Sequence, residues 1–448
     1  MSSLLEQTIP GQQVTGPELP SYDELQGCIR CGRCLPVCPT YQETTLEMFS
    51  PRGRLALLRA VEDARLEFTP TVAEHLYHCL DCRACNTVCP PGVPIGELIL
   101  QGRAAYSVQA GRPWWARLAL DRFLTSADAM EPLMILVRLY QGLRLPRLVR
   151  PILRALKGRH RLFNLFYHME GLLPKIPGRP LHKRLPEVTP ARGARRHRVG
   201  FFLGCMMSQI LADVSQATVN VLTRNGCEVV TPRGQLCCGA PHDDQGNKEL
   251  ARQLARANID LFARYPDLEV IVADCAACAG MLKEYPHLLH DDPHYYPKAL
   301  AMAARTRDVS EWLAEILDTS VPLAPTGRTV TYHEPCHLSN VQGIRHQPVK
   351  VLLQVPDLQL KPLPDSTRCC GSAGIYNITH PEMADRLLAD KAAKVASTGA
   401  NTVITGNPGC LLQLQMGVRE YRVPAEAKHL TQLLDEAYTR AESDDGKR

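Results

Sequence analysis

Cys28, Cys31, Cys34 and Cys38 stand in the spacing C-x2-C-x2-C-x3-C with Pro39 behind them, and Cys79, Cys82, Cys85 and Cys89 repeat that phrase with Pro90 behind. Three thiolates so close together can take three irons of one cubane, while the Cys-Pro step sends the fourth sulfur toward a second cluster. The chemistry implied is one-electron transfer. Zinc is the competing reading of C-x2-C pairs, yet a zinc site does not call for three cysteines in a row and a displaced fourth before proline. Disulfides compete no better. The opening Met-Ser-Ser-Leu-Leu-Glu-Gln has no basic region and no long apolar run, so no export signal is visible and the thiols are expected to stay reduced.

Of the 18 cysteines, all but Cys227 fall into ordered sets, which argues for ligands rather than scattered core residues. Cys205, Cys237, Cys238, Cys275 and Cys278 form a third group, and Cys336, Cys369, Cys370 and Cys410 a fourth. Each contains the triplet Cys-Cys-Gly. Adjacent Cα atoms lie about 3.8 Å apart, short of the roughly 4.4 Å at which disulfides begin, so a vicinal bridge would be strained. Neighbouring thiolates can instead bind different irons or bridge them, and the glycine is expected to let backbone approach the cluster. Cys227 follows Asn225-Gly226, where a helix should end and a strand begin, and reads as a small buried hydrophobe.

The elements that must position these groups come in two kinds. Around the two phrases the pattern is helical: Ser50 is a candidate N-cap with Pro51 at the first helical position, and another helix should start after Pro94. From about 197 onward the chain is duplicated. Val199-Gly-Phe-Phe-Leu-Gly-Cys205 returns 131 positions later as Thr329-Val-Thr-Tyr-His-Glu-Pro-Cys336; Cys237-Cys-Gly returns as Cys369-Cys-Gly; and the run from Val270 to Cys278 returns from Val403 to Cys410. Apolar strands alternating with helical segments such as 247–264 and 381–396 indicate parallel α/β units, which place ligands at the C-terminal ends of their strands.

At 448 residues, length alone suggests about three domains. The duplication refines this to a leader at 1–20, an α-helical two-cluster module at 21–110, a helical connector at 111–196, and two α/β Cys-Cys-Gly domains at 197–325 and 326–440. Hydrophobic content of 45% allows a sizeable core, and a net charge of +5 without a reading motif gives no ground for nucleic acid. The best apolar run, 132–137, is cut by Arg138, so a spanning helix is not expected. The connector carries Arg138, Arg144, Arg147, Arg150, Arg154, Lys157, Arg159 and Arg161 among leucines. Such a stretch can lie on an anionic membrane; the favoured reading is a connector that packs its Leu face on a neighbouring domain.

Taken together, Cys28-Ile-Arg-Cys-Gly-Arg-Cys-Leu-Pro-Val-Cys-Pro-Thr-Tyr41, Ser50-Pro-Arg-Gly-Arg54, the second phrase from His78 to Pro90, Cys237-Cys-Gly-Ala-Pro-His242, His333-Glu-Pro-Cys-His337 and Cys369-Cys-Gly-Ser-Ala-Gly374 resemble the iron–sulfur subunit family of glycolate oxidase over about residues 21–435. That resemblance implies a ferredoxin module joined to two cysteine-rich domains of the heterodisulfide-reductase type. It implies one [4Fe–4S] cluster on Cys28, Cys31, Cys34 and Cys89 and another on Cys38, Cys79, Cys82 and Cys85. By the same resemblance Cys205, Cys237, Cys238, Cys275 and Cys278 hold a non-cubane cluster. The second set has four cysteines, with Asn407 at the remaining position, and takes a different cluster, a single metal or nothing.

The resemblance further implies FAD on partner subunits that oxidise glycolate to glyoxylate, a quinone or other membrane acceptor, and a cytoplasmic chain peripheral on the inner membrane. No G-x-G-x-x-G fingerprint occurs, in keeping with flavin chemistry elsewhere. His242, His333 and His337 are candidates to tune a cluster, ligate it, carry protons or make structural hydrogen bonds. Arg52 and Arg54 either favour a reduced cluster or solvate a helix start. The rival functions are the iron–sulfur subunit of a D-lactate, other 2-hydroxy acid or glycerol-3-phosphate dehydrogenase, a disulfide reductase, and a scaffold with structural metals.

Overall fold

Pro51 begins a helix, Pro51–Glu62, because the Ser50 hydroxyl accepts the Gly53 amide at 2.9 Å and proline at the first position lacks only a donor that would be unused. The computed structural model describes residues 19–445 except 157, 318 and 319, so the expected leader falls outside it up to residue 18, as does Lys157. Gly53 is required by close approach, since a Cβ there would stand 1.9 Å from the Glu47 carbonyl oxygen. A short helix, Pro39–Thr44, follows the first cysteine phrase, another, Ala84–Thr87, lies within the second, and Pro70–Tyr77 and Ile95–Ala110 complete an all-helical module. Its core holds Leu25, Leu55, Leu58, Val72, Leu76, Ile95, Leu98 and Ile99.

The duplicated region forms two sheets. In the first, β1 (Val188–Thr189), β2 (His197–Phe202), β3 (Cys227–Val230), β4 (Val270–Ala273) and β5 (Thr306–Asp308) lie in the order β1-β3-β2-β4-β5. Only β1 is antiparallel. In the second, β6 (Thr329–Tyr332), β7 (Gln359–Lys361), β8 (Thr402–Thr405) and β9 (Glu426–His429) are parallel in the order β7-β6-β8-β9. Without β1, the two orders are the same. The architecture is the multidomain α and α/β arrangement that the repeat predicts. Helices Lys248–Phe262 and Pro381–Ser397 occupy the expected places, and Cys227 is buried at the start of β3 after Gly226 turns the chain at φ +77°.

One apolar core runs through both sheets, and the helix Leu430–Asp445 of the second half closes on Ala212–Arg224 of the first. There Arg224 reaches Asp435 at 2.6 Å and Glu442 at 2.7 Å. The connector departs from expectation. Of its helices Ala127–Gly142, Pro146–Leu156 and Arg161–Leu172, the first anchors through Met130 and Met134 and the third through buried His168 against Asp385 and Tyr167 on Glu420, but Ile135, Leu136, Leu139, Leu143, Leu148, Ile152 and Phe166 face outward. In Pro146–Leu156 the apolar residues Leu148, Val149, Ile152, Leu153 and Leu156 share one face, and the neighbouring elements cover only part of it. Among the described residues no helix is long and apolar enough to cross a membrane.

Candidate metal centres

In both cysteine phrases the same two positions adopt positive φ. Arg30 (+59°) and Gly32 (+80°) lie between the first three cysteines of one, and Asp81 (+44°) and Arg83 (+55°) occupy the matching places in the other. Left-handed residues two apart curl the loop about a point, which directs successive thiols inward. Cys38 holds the N-cap position of the helix Pro39–Thr44, and its sulfur lies 3.3 Å from Thr40 Oγ1. Cys38, Cys79, Cys82 and Cys85 line one cavity, together with Thr40, Arg54, Asp81 and Arg83. The other four differ in exposure: Cys34 is buried, Cys28 and Cys89 half-buried, and Cys31 exposed.

Arg54 does not solvate a helix start. It is 1% exposed, and its guanidinium donates to the His75 carbonyl at 2.8 Å and to Thr40 Oγ1 at 3.0 Å, with Cys38 Sγ at 4.0 Å. Arg52 stays partly exposed and pairs with Glu47 at 2.6 Å. Burial pushes the Cys82 and Cys85 thiols well above their ordinary range, with neighbouring cysteines adding to it. Grouped thiols in one cavity suit a cationic metal centre with soft ligands, and iron with thiolate ligands meets that description.

The other cysteine sets occupy the strand ends where the topology switches direction. Cys205 follows β2, Cys237 and Cys238 follow β3, and Cys275 and Cys278 follow β4. Cys275 caps the helix Ala276–Leu288, its sulfur accepting the Cys278 amide at 3.2 Å. The thiols interact in series, Cys205 with Cys237, Cys237 with Cys238, and Cys238 through Cys278 with Cys275. The neighbouring Cys205 and Cys238 thiols hold Cys237 well below the usual thiol range. Gly239 and Gly371 correct the expected role of the glycine. Both have positive φ, +98° and +87°, and a Cβ at either would face the following helix, at Ala251 or Ala384, rather than the sulfurs. The glycine makes the turn that presents the thiols.

In the second half Cys336, Cys369, Cys370 and Cys410 form the equivalent series, with Cys370 and Cys410 sulfurs 3.3 Å apart. Asn407 stands where the first half has Cys275. Its Nδ2 donates to Cys410 Sγ at 3.6 Å, while its Oδ1 accepts the Ala277 amide at 3.1 Å, so it ties the two sets together. His333 is buried within 4.8 Å of the Cys370 and Cys410 sulfurs. His337 lies 3.5 Å from Cys336 Sγ and 3.6 Å from Asp81, whereas His242 approaches the Leu124 carbonyl at 3.3 Å. Burial brings the nearby Lys391 down to about 8 against the pull of Cys370.

Sequence reasoning missed where these centres meet. Leu80 and Cys82 of the second phrase pack with Cys369, Tyr376, Met383 and Leu387, and Asn340 donates to the Cys82 carbonyl at 2.8 Å. Arg103, 1% exposed, ties the Cys79 carbonyl (2.5 Å) to Asp244 (2.5 Å) of the first half. The duplicated cysteines give no signal for this docking.

Comparison with known proteins agrees with this division. Residues 24–93 match a 4Fe-4S dicluster domain, and residues 199–283 and 330–415 each match a cysteine-rich domain. A probable glycolate oxidase iron-sulfur subunit from Bacillus subtilis is 37% identical over 92% of this chain and 94% of its own length. The glycolate oxidase iron-sulfur subunit of Escherichia coli is 32% identical with the same two coverages, 92% and 94%. Lactate utilization protein A of Bacillus subtilis is 31% identical over 53% of this chain and 99% of its own.

Proposed function

The chain belongs to the family of glycolate oxidase iron–sulfur subunits, and from that premise we propose that it carries electrons from the FAD of a partner subunit that oxidises glycolate to glyoxylate toward a quinone or other membrane acceptor. The observation that carries this reading is the single cavity in which Cys38 of the first phrase joins Cys79, Cys82 and Cys85 of the second. These four would hold one [4Fe–4S] cluster; Cys28, Cys31, Cys34 and Cys89 would hold the other. Cys205, Cys237, Cys238, Cys275 and Cys278 would hold a further, non-cubane cluster.

Bound clusters of this type supply one-electron transfer. The chain's own residues do the rest. The exposed Cys31 edge gives a partner close access to the first set, and Arg54 places fixed positive charge beside Cys38. Cys82 brings the second set against Cys336 and Cys369 of the cysteine-rich half. The outward apolar and basic connector supports a peripheral site on the cytoplasmic face of the inner membrane.

A second reading, lactate as the 2-hydroxy acid, has support in the lactate utilization relative, which aligns along nearly its whole length. Purification from the native host under anaerobic conditions tests both. The expected result is an accompanying flavoprotein and dye reduction driven by glycolate. Absence of any flavoprotein would overturn the subunit assignment, and reduction by D-lactate alone would replace the substrate.

A further inference from the structure

The two cysteine-rich halves have the same strand order but unequal donor sets. Five cysteines serve the first; in the second, Asn407 replaces the counterpart of Cys275 and is engaged with the Ala277 amide and the Cys410 sulfur. The compensation lies one strand away. His333 follows β6 directly, at the position of Phe202 in the first half, and its amide donates to the Ile404 carbonyl of β8 at 2.9 Å. This fixes His333 beside the loop that carries Asn407 and Cys410.

Its ring is 1% exposed, and neither nitrogen meets a partner in good hydrogen-bond geometry. The one backbone group that bears on the ring, at Ser366, also accepts the Glu334 amide at 3.2 Å, and it can serve one ring nitrogen at most. A ring nitrogen buried without a partner costs free energy that a bound metal would recover. One ring nitrogen and the Cys370 and Cys410 sulfurs all lie within 4.8 Å of one another, and those sulfurs are 3.3 Å apart. Metal–nitrogen and metal–sulfur bonds of about 2.0 and about 2.3 Å span at most about 4.3 Å, so a side-chain shift of about 0.5 Å or less brings all three donors onto one ion.

We propose that His333 is the fifth ligand of the second set, completing with Cys336, Cys369, Cys370 and Cys410 a mixed imidazole–thiolate site for iron or zinc. An imidazole added to thiolates suits either metal, as a cluster iron or as a single zinc. The assignment does not depend on which 2-hydroxy acid the complex oxidises.

Iron, zinc and acid-labile sulfide per chain are counted in the full-length protein, in His333→Ala, and in His333→Ala/Asn407→Cys, with circular dichroism to check folding. His333→Ala is expected to lose the metal of this set while the [4Fe–4S] signals remain, and the double variant, which restores a thiol at the position of Cys275, to regain it. Unchanged metal content in His333→Ala would overturn the proposal, as would a loss that the double variant does not reverse. Should His333→Ala fail to fold, X-ray absorption of the unmodified protein at the zinc edge, and electron paramagnetic resonance of protein labelled with 15N-histidine, decide the matter. A nitrogen in the metal's first shell is the expected result; a shell of sulfur alone at both metals rejects it.

Discussion

Arg83 joins backbone geometry and charge at one residue. Its φ of +55° lies in the left-handed region, where a side chain costs roughly 1–2 kcal/mol. The side chain is 4% exposed and pairs with Asp81 and Glu97, with Glu284 at 3.8 Å. Burial alone would raise Asp81, yet the Arg83 charge and His337 bring it down to about 2. Arg83→Ala strips partners from buried carboxylates and should cost about 3–5 kcal/mol in guanidinium unfolding. Arg83→Gly should recover about 1 kcal/mol of that, because glycine enters the left-handed region freely; equal stabilities for the two variants would mean that no backbone strain resides there. The spacing of the cysteines made the candidate ligands legible in the sequence. It could not reveal Arg54 or Arg83, because an arginine beside a cysteine reads as a solvated charge until a second element covers it.

At the scale of elements, the two parallel α/β units and the place of their cysteines after the strands followed from the duplication, since period and spacing are local properties of the chain; the strand order did not. The connector was misread for the opposite reason: amphipathicity says that a face will be covered, not by what. In the helix Pro146–Leu156, Val149, Leu153 and Leu156 are half-buried, Leu148 and Ile152 remain 66% and 57% exposed, and Arg147, Arg150 and Arg154 are exposed beside them. Apolar side chains flanked by arginine suit the interface of an anionic bilayer. The protein is expected to sediment with phosphatidylglycerol-containing vesicles and not with phosphatidylcholine alone. Leu148→Glu/Ile152→Glu should reduce that binding at least tenfold without changing iron content, and equal binding by this variant would leave the connector without a membrane role.

The whole molecule is held together by contacts that no single repeat encodes. His429 at the end of β9 is fully buried and bonds to Thr431, whose hydroxyl lies 3.0 Å from Thr218 of the first half; Thr218 in turn donates to Asp274 at 3.2 Å. Such long-range pairing is invisible to spacing, which is why the two halves were separable in the sequence yet share one core in the fold. Burial lowers His429 from 6.5 to about 4. The unfolded chain therefore takes up this proton first, so the stability gained by keeping the ring neutral is present above pH 6.5 and is lost as pH falls through 6.5 toward 4. Asp308, raised by burial to about 6, works in the other direction: its contribution is present at low pH and is lost as pH rises through 6. A pH profile of the unmodified protein mixes the two, so the useful quantity is a difference. Relative to His429→Gln, the unmodified protein should lose about 2 kcal/mol between pH 7 and pH 5, read from anaerobic urea midpoints. If the two profiles run parallel over that range, His429 is not held neutral in the folded chain, and the polar seam between the halves is not a source of acid sensitivity.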